Sequence, residues 1–347
     1  MNASDDTEEG ILFYVLNGYG VTVSYLIINI VTTILGVMIL FLNFLVIDTI
    51  RRKHELTNTA DVLLLSLALA DFLTGILVLY NTAYTMTNFQ NSLECRFRYS
   101  LLLTVAISSG FHLLALTIDR YIKIIKPLHY SRLCKRSTFL TTCISVWIFA
   151  ILVGLVPTFG WKNNYEETNG DDLLCSFFGT LHEDYLRMIV VLFFIPVILI
   201  LILYSHIYKV AHRHSRQIAV QERTVHPHAK DKLSWKFTKT ISIIIGVYLL
   251  MWLPTGILVI LNVEGKLYHK SNSDKGVILI YTSGLAFFNS LLDPIIYAFQ
   301  ISSVKKRFKS VFCCSKQNSV ENQICTVGYT TNMVLIKSGV RIETINT

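Results

Sequence analysis

The sequence predicts an all-α membrane protein: a bundle of seven transmembrane helices with a short amphipathic eighth. Three observations predict it. Only 16% of the 347 residues are charged and 52% are hydrophobic, whereas a soluble domain carries about a quarter charged residues. Seven apolar runs recur along the chain, each near the roughly 20 residues needed to cross about 30 Å of hydrocarbon. The connecting segments alternate in basic content, as loops on opposite faces of a bilayer do.

The runs follow in order. The first covers residues 22–50, after an acidic segment, 1–21, that holds Asp5, Asp6, Glu8 and Glu9. No Lys or Arg precedes Arg51; a cleaved leader needs a basic start, so none is expected. Asn2-Ala3-Ser4 is a glycosylation sequon on that segment. The second run, 60–86, contains Leu67-Ala68-Leu69-Ala70-Asp71, and the third, 97–122, closes on Asp119-Arg120-Tyr121. Trp147 lies in the fourth, 138–158; Pro196 and Tyr204 lie in the fifth, 184–210. Trp252-Leu253-Pro254 falls in the sixth, 237–262, and Asp293-Pro294-Ile295-Ile296-Tyr297 in the seventh, 276–299. Beyond it, Phe308 among Lys305, Lys306, Arg307 and Lys309 reads as an amphipathic helix on the bilayer surface, or as a basic tail segment. Residues 22–312 therefore form one body, and 313–347, rich in Ser and Thr without hydrophobic periodicity, form a tail expected to be flexible.

With the N-terminus outside, 24 of the 31 Lys and Arg fall on the inner side. That excess fixes the expected topology as N-terminus outside and tail inside. The net charge of +8 follows from topology and an anionic inner leaflet, and calls for no nucleic acid. Cys95 and Cys175 both fall on the oxidising outer side, so a disulfide between them is expected. Cys134 lies near the inner face, Cys143 reads as a small apolar filler, and Cys313 and Cys314 follow the basic stretch as palmitoylation candidates.

Ionisable residues inside membrane helices are expensive and mark function. Asp71 and Asp293, with Ser109, Asn289 and Asn43 at similar depth, form an oxygen-rich set that suits Na⁺ as an allosteric ion. The same residues could instead be a hydrogen-bonded cluster that only joins helices.

Taken together, Asn43, Leu67-Ala68-Leu69-Ala70-Asp71, Asp119-Arg120-Tyr121, Trp147, Pro196, Tyr204, Trp252-Leu253-Pro254 and Asp293-Pro294-Ile295-Ile296-Tyr297 resemble the signatures of rhodopsin-like G-protein-coupled receptors. They occur one set per helix, in order, over residues 22–312. The resemblance implies a receptor at the plasma membrane that activates a heterotrimeric G protein, and is regulated by arrestin and receptor kinases. It implies that Asp119 restrains Arg120 at rest, and that Tyr204 and Tyr297 turn inward to support Arg120 on activation. Pro254 would kink the sixth helix into a lever, Trp252 would transmit ligand contact, and Pro294 belongs to the matching motif of the seventh. Many such receptors place an acid at the inner end of the sixth helix. Here Ser234 stands there, so basal G-protein turnover above that of receptor-free cells is expected.

The ligand is bounded mainly by exclusion. Amine receptors hold an Asp where this chain has Leu102, and visual pigments a Lys where it has Phe287. The segment 154–161 with Asn163-Asn164, and Phe177 after Cys175, are similar to adenosine receptors, yet Val259, Ala286 and Phe287 stand where those receptors bind the nucleoside. Cys175-Ser176-Phe177-Phe178, Asn289-Ser290-Leu291-Leu292 and Arg98 resemble receptors for lipid amides and other lipids. An apolar pocket of Leu102, Leu103, Ala106, Ile107, Met188, Leu192, Val259, Ala286 and Phe287 would then hold an acyl chain, with Phe177 and Trp252. Arg98 would hold its head group, or else snorkel to water. An ion channel or transporter is the alternative of another class, but no repeat or broken helix pair supports one. An intramembrane enzyme would need a His cluster, and His112 stands alone in its run.

Overall fold

A computed structural model describes residues 23–52, 61–87, 91–161, 177–222, 250–266, 272–300 and 302–312. Seven helices form the bundle in chain order: α1 (Val23–Arg51), α2 (Asp61–Thr87), α3 (Ser92–Ile125), α5 (Arg136–Gly154), α8 (Glu183–Glu222), α9 (Leu250–Val263) and α10 (Asn272–Gln300). Among the described residues four short helices punctuate them: α4 (Pro127–Leu133), α6 (Val156–Phe159), α7 (Phe177–Thr180) and α11 (Ser302–Phe312). Among the described residues five helices, α1, α2, α3, α5 and the first part of α8, are long and apolar enough to cross a membrane. The expected start of the sixth run, 237–249, lies outside the described residues.

The bundle is turned inside out relative to a soluble protein. Ile27, Ile34, Phe44, Ile144, Leu152, Val191 and Ile202 face outward from α1, α5 and α8. Asn43, Asp71, Ser109, His112, Asn289 and Asp293 are buried between helices. In water such a surface would be a large aggregation-prone patch; in lipid it is the matched exterior, and the buried polar groups bond one another.

Helix α3 is the axis, packing against α2, α5 and α8 along its length, while α10 closes against α1 and α2. At the end rich in basic residues, hereafter the basic face, Val46, Ile50, Leu63, Leu67, Leu116 and Val304 form a core. Val304, fully buried, and Phe308 anchor α11 to that core while Lys305, Lys306 and Lys309 stay exposed. Arg307 adds an ion pair to Asp48 of α1 at 3.2 Å. The segment is thus an amphipathic helix and not a loose tail.

Four features differ from the sequence expectation for a local reason. Helix α8 continues to Glu222, past the expected end at 210, because no Gly or Pro interrupts 211–222. Pro157 ends the fourth span early, at Gly154, and starts α6. The loop after the third span contains α4, opened by Pro127, whose fixed φ suits a first helical position. The third helix itself starts at Ser92 because Asn91 caps it, its Oδ1 accepting from Leu93 and Glu94 amides at 3.0 and 3.1 Å.

Where α5 crosses α3, a side chain at Gly154 has no room. A Cβ there would lie 2.0 Å from Thr104 Oγ1 and 2.9 Å from the Thr104 Cα. Gly154→Ala is therefore expected to push the two helices apart and destabilise the protein by about 1–3 kcal/mol. The check is the melting temperature of the purified protein and the fraction reaching the cell surface; an unchanged melt would mean the crossing is looser than described.

Candidate functional site

Midway through the bundle, Asp71 of α2 is fully buried. Its Oδ1 accepts from Ser109 of α3 at 3.2 Å and from Ser290 of α10 at 2.8 Å. Asp293 of α10 lies beside it, and Asn289 Nδ2 donates to Asp293 Oδ2 at 3.5 Å. Asn43 of α1 donates to the carbonyls of Ile39 and Ser290 at 3.0 and 2.9 Å. The structure thus brings together Asp71, Ser109, Asn289 and Asp293 as the sequence predicts, and adds Ser290. Among the described residues, Asp71 Oδ2 and Asn43 Oδ1 have no hydrogen-bond partner and are buried. An oxygen set with orphaned acceptors has the chemistry to hold a hard cation.

A second network runs sideways from α3. His112, fully buried, meets Ser66 Oγ of α2 through Nε2 at 2.8 Å, and Trp147 Nε1 of α5 donates to the same hydroxyl at 3.0 Å. Its Nδ1 lies 2.7 Å from the Ser108 carbonyl, so Nδ1 carries the proton and Nε2 accepts from Ser66. His112, alone in its run of sequence, is therefore the joint of three helices.

At the basic face Asp119 is buried, and one carboxylate oxygen accepts from Tyr130 of α4 at 2.8 Å. Arg120 and Tyr121 are half-buried. The Tyr121 hydroxyl lies 2.8 Å from His206 Nδ1 of α8, with the two rings 5.5 Å apart. Tyr204, on α8, is half-buried, as is Pro254 on α9. Pro294 is buried within α10; the Tyr297 side chain lies outside what is described. Cys134, between α4 and α5, is buried, and burial together with the Asp119 carboxylate pushes its thiol up. Cys143 is also buried, its Sγ near the Val62 carbonyl at 3.9 Å.

Toward the opposite face α3, α7, α8 and α9 enclose a cavity of about 80 Å³. Of the predicted pocket, Leu103, Ala106, Ile107, Phe177, Leu192, Trp252 and Val259 line it. Phe193 and Phe194 join them, missed because two aromatics in an apolar run carry no local signal of direction. The floor is closed by Phe193 lying against Trp252, their centroids 4.5 Å apart. Among the described lining residues the one hydroxyl, Thr255, is already bonded to the Thr282 carbonyl at 2.8 Å. Leu102, Met188, Ala286 and Phe287 are not among the lining residues. Met188 packs beside Tyr185 and Val263, and Phe287 packs toward α1 against Leu35 and Ile39.

Arg98 is not in the lining either. It is 3% exposed, with Nε donating to Glu94 Oε1 at 3.0 Å and Nη1 to Asn81 Oδ1. Its guanidinium stacks between Tyr84 and Tyr99, 4.5 and 5.0 Å from their centroids. It neither reaches the cavity nor snorkels, because Glu94 one turn earlier already binds it. Cys95 beside it is disulfide-bonded; Cys175, the expected partner, lies outside the described residues, as do Asn2, Ser234, Cys313 and Cys314.

A wider depression of about 620 Å³ runs along α5, lined by Ser137, Thr138, Thr141, Thr142 and Ser145 with Phe111 and Phe149. It opens on the lipid-facing side and shares only Phe111 with the inner cavity, so the enclosed site is the ligand candidate.

A polar cluster at mid-membrane, an apolar cavity toward one face and an Asp-Arg-Tyr end at the other form the arrangement expected of a transmembrane signalling receptor. Residues 42–297 match the family described as 7 transmembrane receptor (rhodopsin family), and the chain belongs to it. It is 28% identical over 296 residues to G-protein coupled receptor 3 of Mus musculus, covering 84% of each chain. It is 25% identical to lysophosphatidic acid receptor 1 of Ovis aries, over 86% of this chain and 73% of that one. Against adenosine receptor A2b of Gallus gallus the identity is 27%, over 83% of this chain and 88% of the other. The protein is accordingly a G-protein-coupled receptor of the plasma membrane, not an enzyme, that couples a small ligand to a G protein.

Proposed function

We propose that the ligand is lipid-like and seats its chain in the cavity over Trp252. The observation that carries this reading is the lining among the described residues: aliphatic and aromatic but for the Thr255 hydroxyl, already bonded to the Thr282 carbonyl, and the Trp252 indole N–H. A nucleoside would leave its polar edges unpaired there, at about 1–3 kcal/mol for each buried group. Val259, 6% exposed, can offer none of the polar contacts such a ligand needs. Relatives are named for lysophosphatidic acid and for adenosine; the lining favours a lipid chain over a nucleoside.

At about 80 Å³ the cavity is smaller than the roughly 300 Å³ at which ligand pockets begin. A bound chain must part Phe193 from Trp252, so binding and movement of α9 become one event. Na⁺ held by Asp71 with Ser109, Asn289 and Asp293 would oppose that movement. The N-terminus faces outward and the tail inward, where arrestin and receptor kinases act on 313–347.

The test is cellular cAMP with the receptor expressed, before and after fatty-acid amides, lysolipids and adenosine. A lipid-selective change that Ala106→Trp weakens at least about tenfold (1.4 kcal/mol), at equal surface expression, is the expected result. A response to adenosine alone would overturn it.

A further inference from the structure

Arg98 and Glu94 stand one turn apart on α3, at the end opposite the basic face. Arg98 is 3% exposed and Glu94 18%, and they meet at 3.0 Å. A guanidinium so far removed from water is stable only with a charge partner, and here the chain supplies it. Asn81 and the Tyr84 and Tyr99 rings complete its surroundings. Tyr99 also meets Phe177 edge-on at 5.4 Å, and Phe177 lines the cavity. Two rings therefore part the ion pair from the ligand space. Arg187, at the same end of α8, is likewise matched, by Asp184 at 2.7 Å and Glu183 at 3.8 Å.

We infer that Glu94 determines which head group the receptor accepts. By satisfying Arg98 internally it makes the receptor selective for electrically neutral lipids and closes it to carboxylate-bearing lipids of the same chain. The physical ground is exchange. An anionic head group gains Arg98 only in competition with Glu94: either it displaces that carboxylate, one anion for another, or two anions crowd one guanidinium away from water. A neutral amide or ester forgoes that exchange and needs only the cavity. Sequence alone points the other way, since an Arg near the pocket mouth invites an acid; the acid four residues earlier cancels it.

The inference rests on the cavity being the ligand site. The experiment compares oleoylethanolamide with oleic acid, which share an acyl chain, on full-length receptor in membranes, read as G-protein nucleotide exchange. Wild type is expected to respond to the amide at least tenfold more sensitively than to the acid. Glu94→Gln is expected to raise sensitivity to oleic acid at least tenfold and leave the amide within threefold. Adding Arg98→Gln to that variant should remove the gain. Purified Glu94→Gln should melt at a lower temperature than wild type and recover with oleic acid more than with the amide, which a merely structural Glu94 would not do.

Should Glu94→Gln fail to reach the surface, Glu94→Asp, with the charge kept and the reach shortened, is expected to show a smaller gain for the acid. Equal sensitivity of wild type to both lipids overturns the inference, as does unchanged acid sensitivity in the variant made. Wild type silent to both lipids, with Ala106→Trp leaving basal exchange unaltered, overturns the cavity reading and this inference with it.

Discussion

Replacing Arg120 by Ala is expected to reduce ligand-driven nucleotide exchange on the G protein to the background of receptor-free membranes, at least about a hundredfold loss or ~2.7 kcal/mol. The side chain sits at the basic face on the last turns of α3, half-buried. Asp119 is its chain neighbour, and Tyr130 of α4 donates to one oxygen of that carboxylate at 2.8 Å. A guanidinium offers five donors in a rigid fork, and a backbone or carboxylate partner on a G protein can take several at once. Lys keeps the charge and loses the fork. Arg120→Lys is therefore expected to retain part of the exchange that Arg120→Ala loses, with ligand affinity in both within a few-fold of wild type. Exchange by Arg120→Ala at the wild-type rate would remove Arg120 from the coupling surface.

The seven-helix plan was readable because each span is a continuous apolar run, and a polar residue inside such a run stands out. Asp71, Asp293 and Asp119 were found that way, and the structure buries all three. What stayed hidden depended on direction or on distance along the chain. Ser66, His112 and Trp147 meet across separations of 46 and 81 residues, with nothing in any one helix to announce the others. Phe287 and Met188 lie on the expected helices but face neighbouring cores, because small errors in helix rotation redirect a side chain entirely. Glu94 and Arg98 were readable in principle. Their i, i+4 spacing is that of neighbouring side chains on one helix face, and α4 was announced by Pro127. Both signals were local, and both were overshadowed by stronger motifs beside them.

Asp71→Asn is expected to abolish the dependence of ligand sensitivity on Na⁺. With Na⁺ exchanged for choline at constant ionic strength, wild type should gain about five- to tenfold in ligand sensitivity, within the usual range of allosteric coupling. The variant should be flat across the same exchange. Asn keeps an oxygen that can accept from Ser109 and Ser290 as Asp71 Oδ1 does at 3.2 and 2.8 Å, so the junction of α2, α3 and α10 is retained. It removes the charge and replaces Oδ2, the buried acceptor without a hydrogen-bond partner, by an amide donor. The substitution therefore separates two roles that the same side chains could play. If the cluster only joins helices, wild type will show no Na⁺ dependence, and Asp71→Asn will alter melting temperature alone. If it holds an ion that favours the packing in which Phe193 lies on Trp252, the ion and the ligand oppose each other through one equilibrium. Reciprocity then demands that the ligand weaken Na⁺ binding by the same factor.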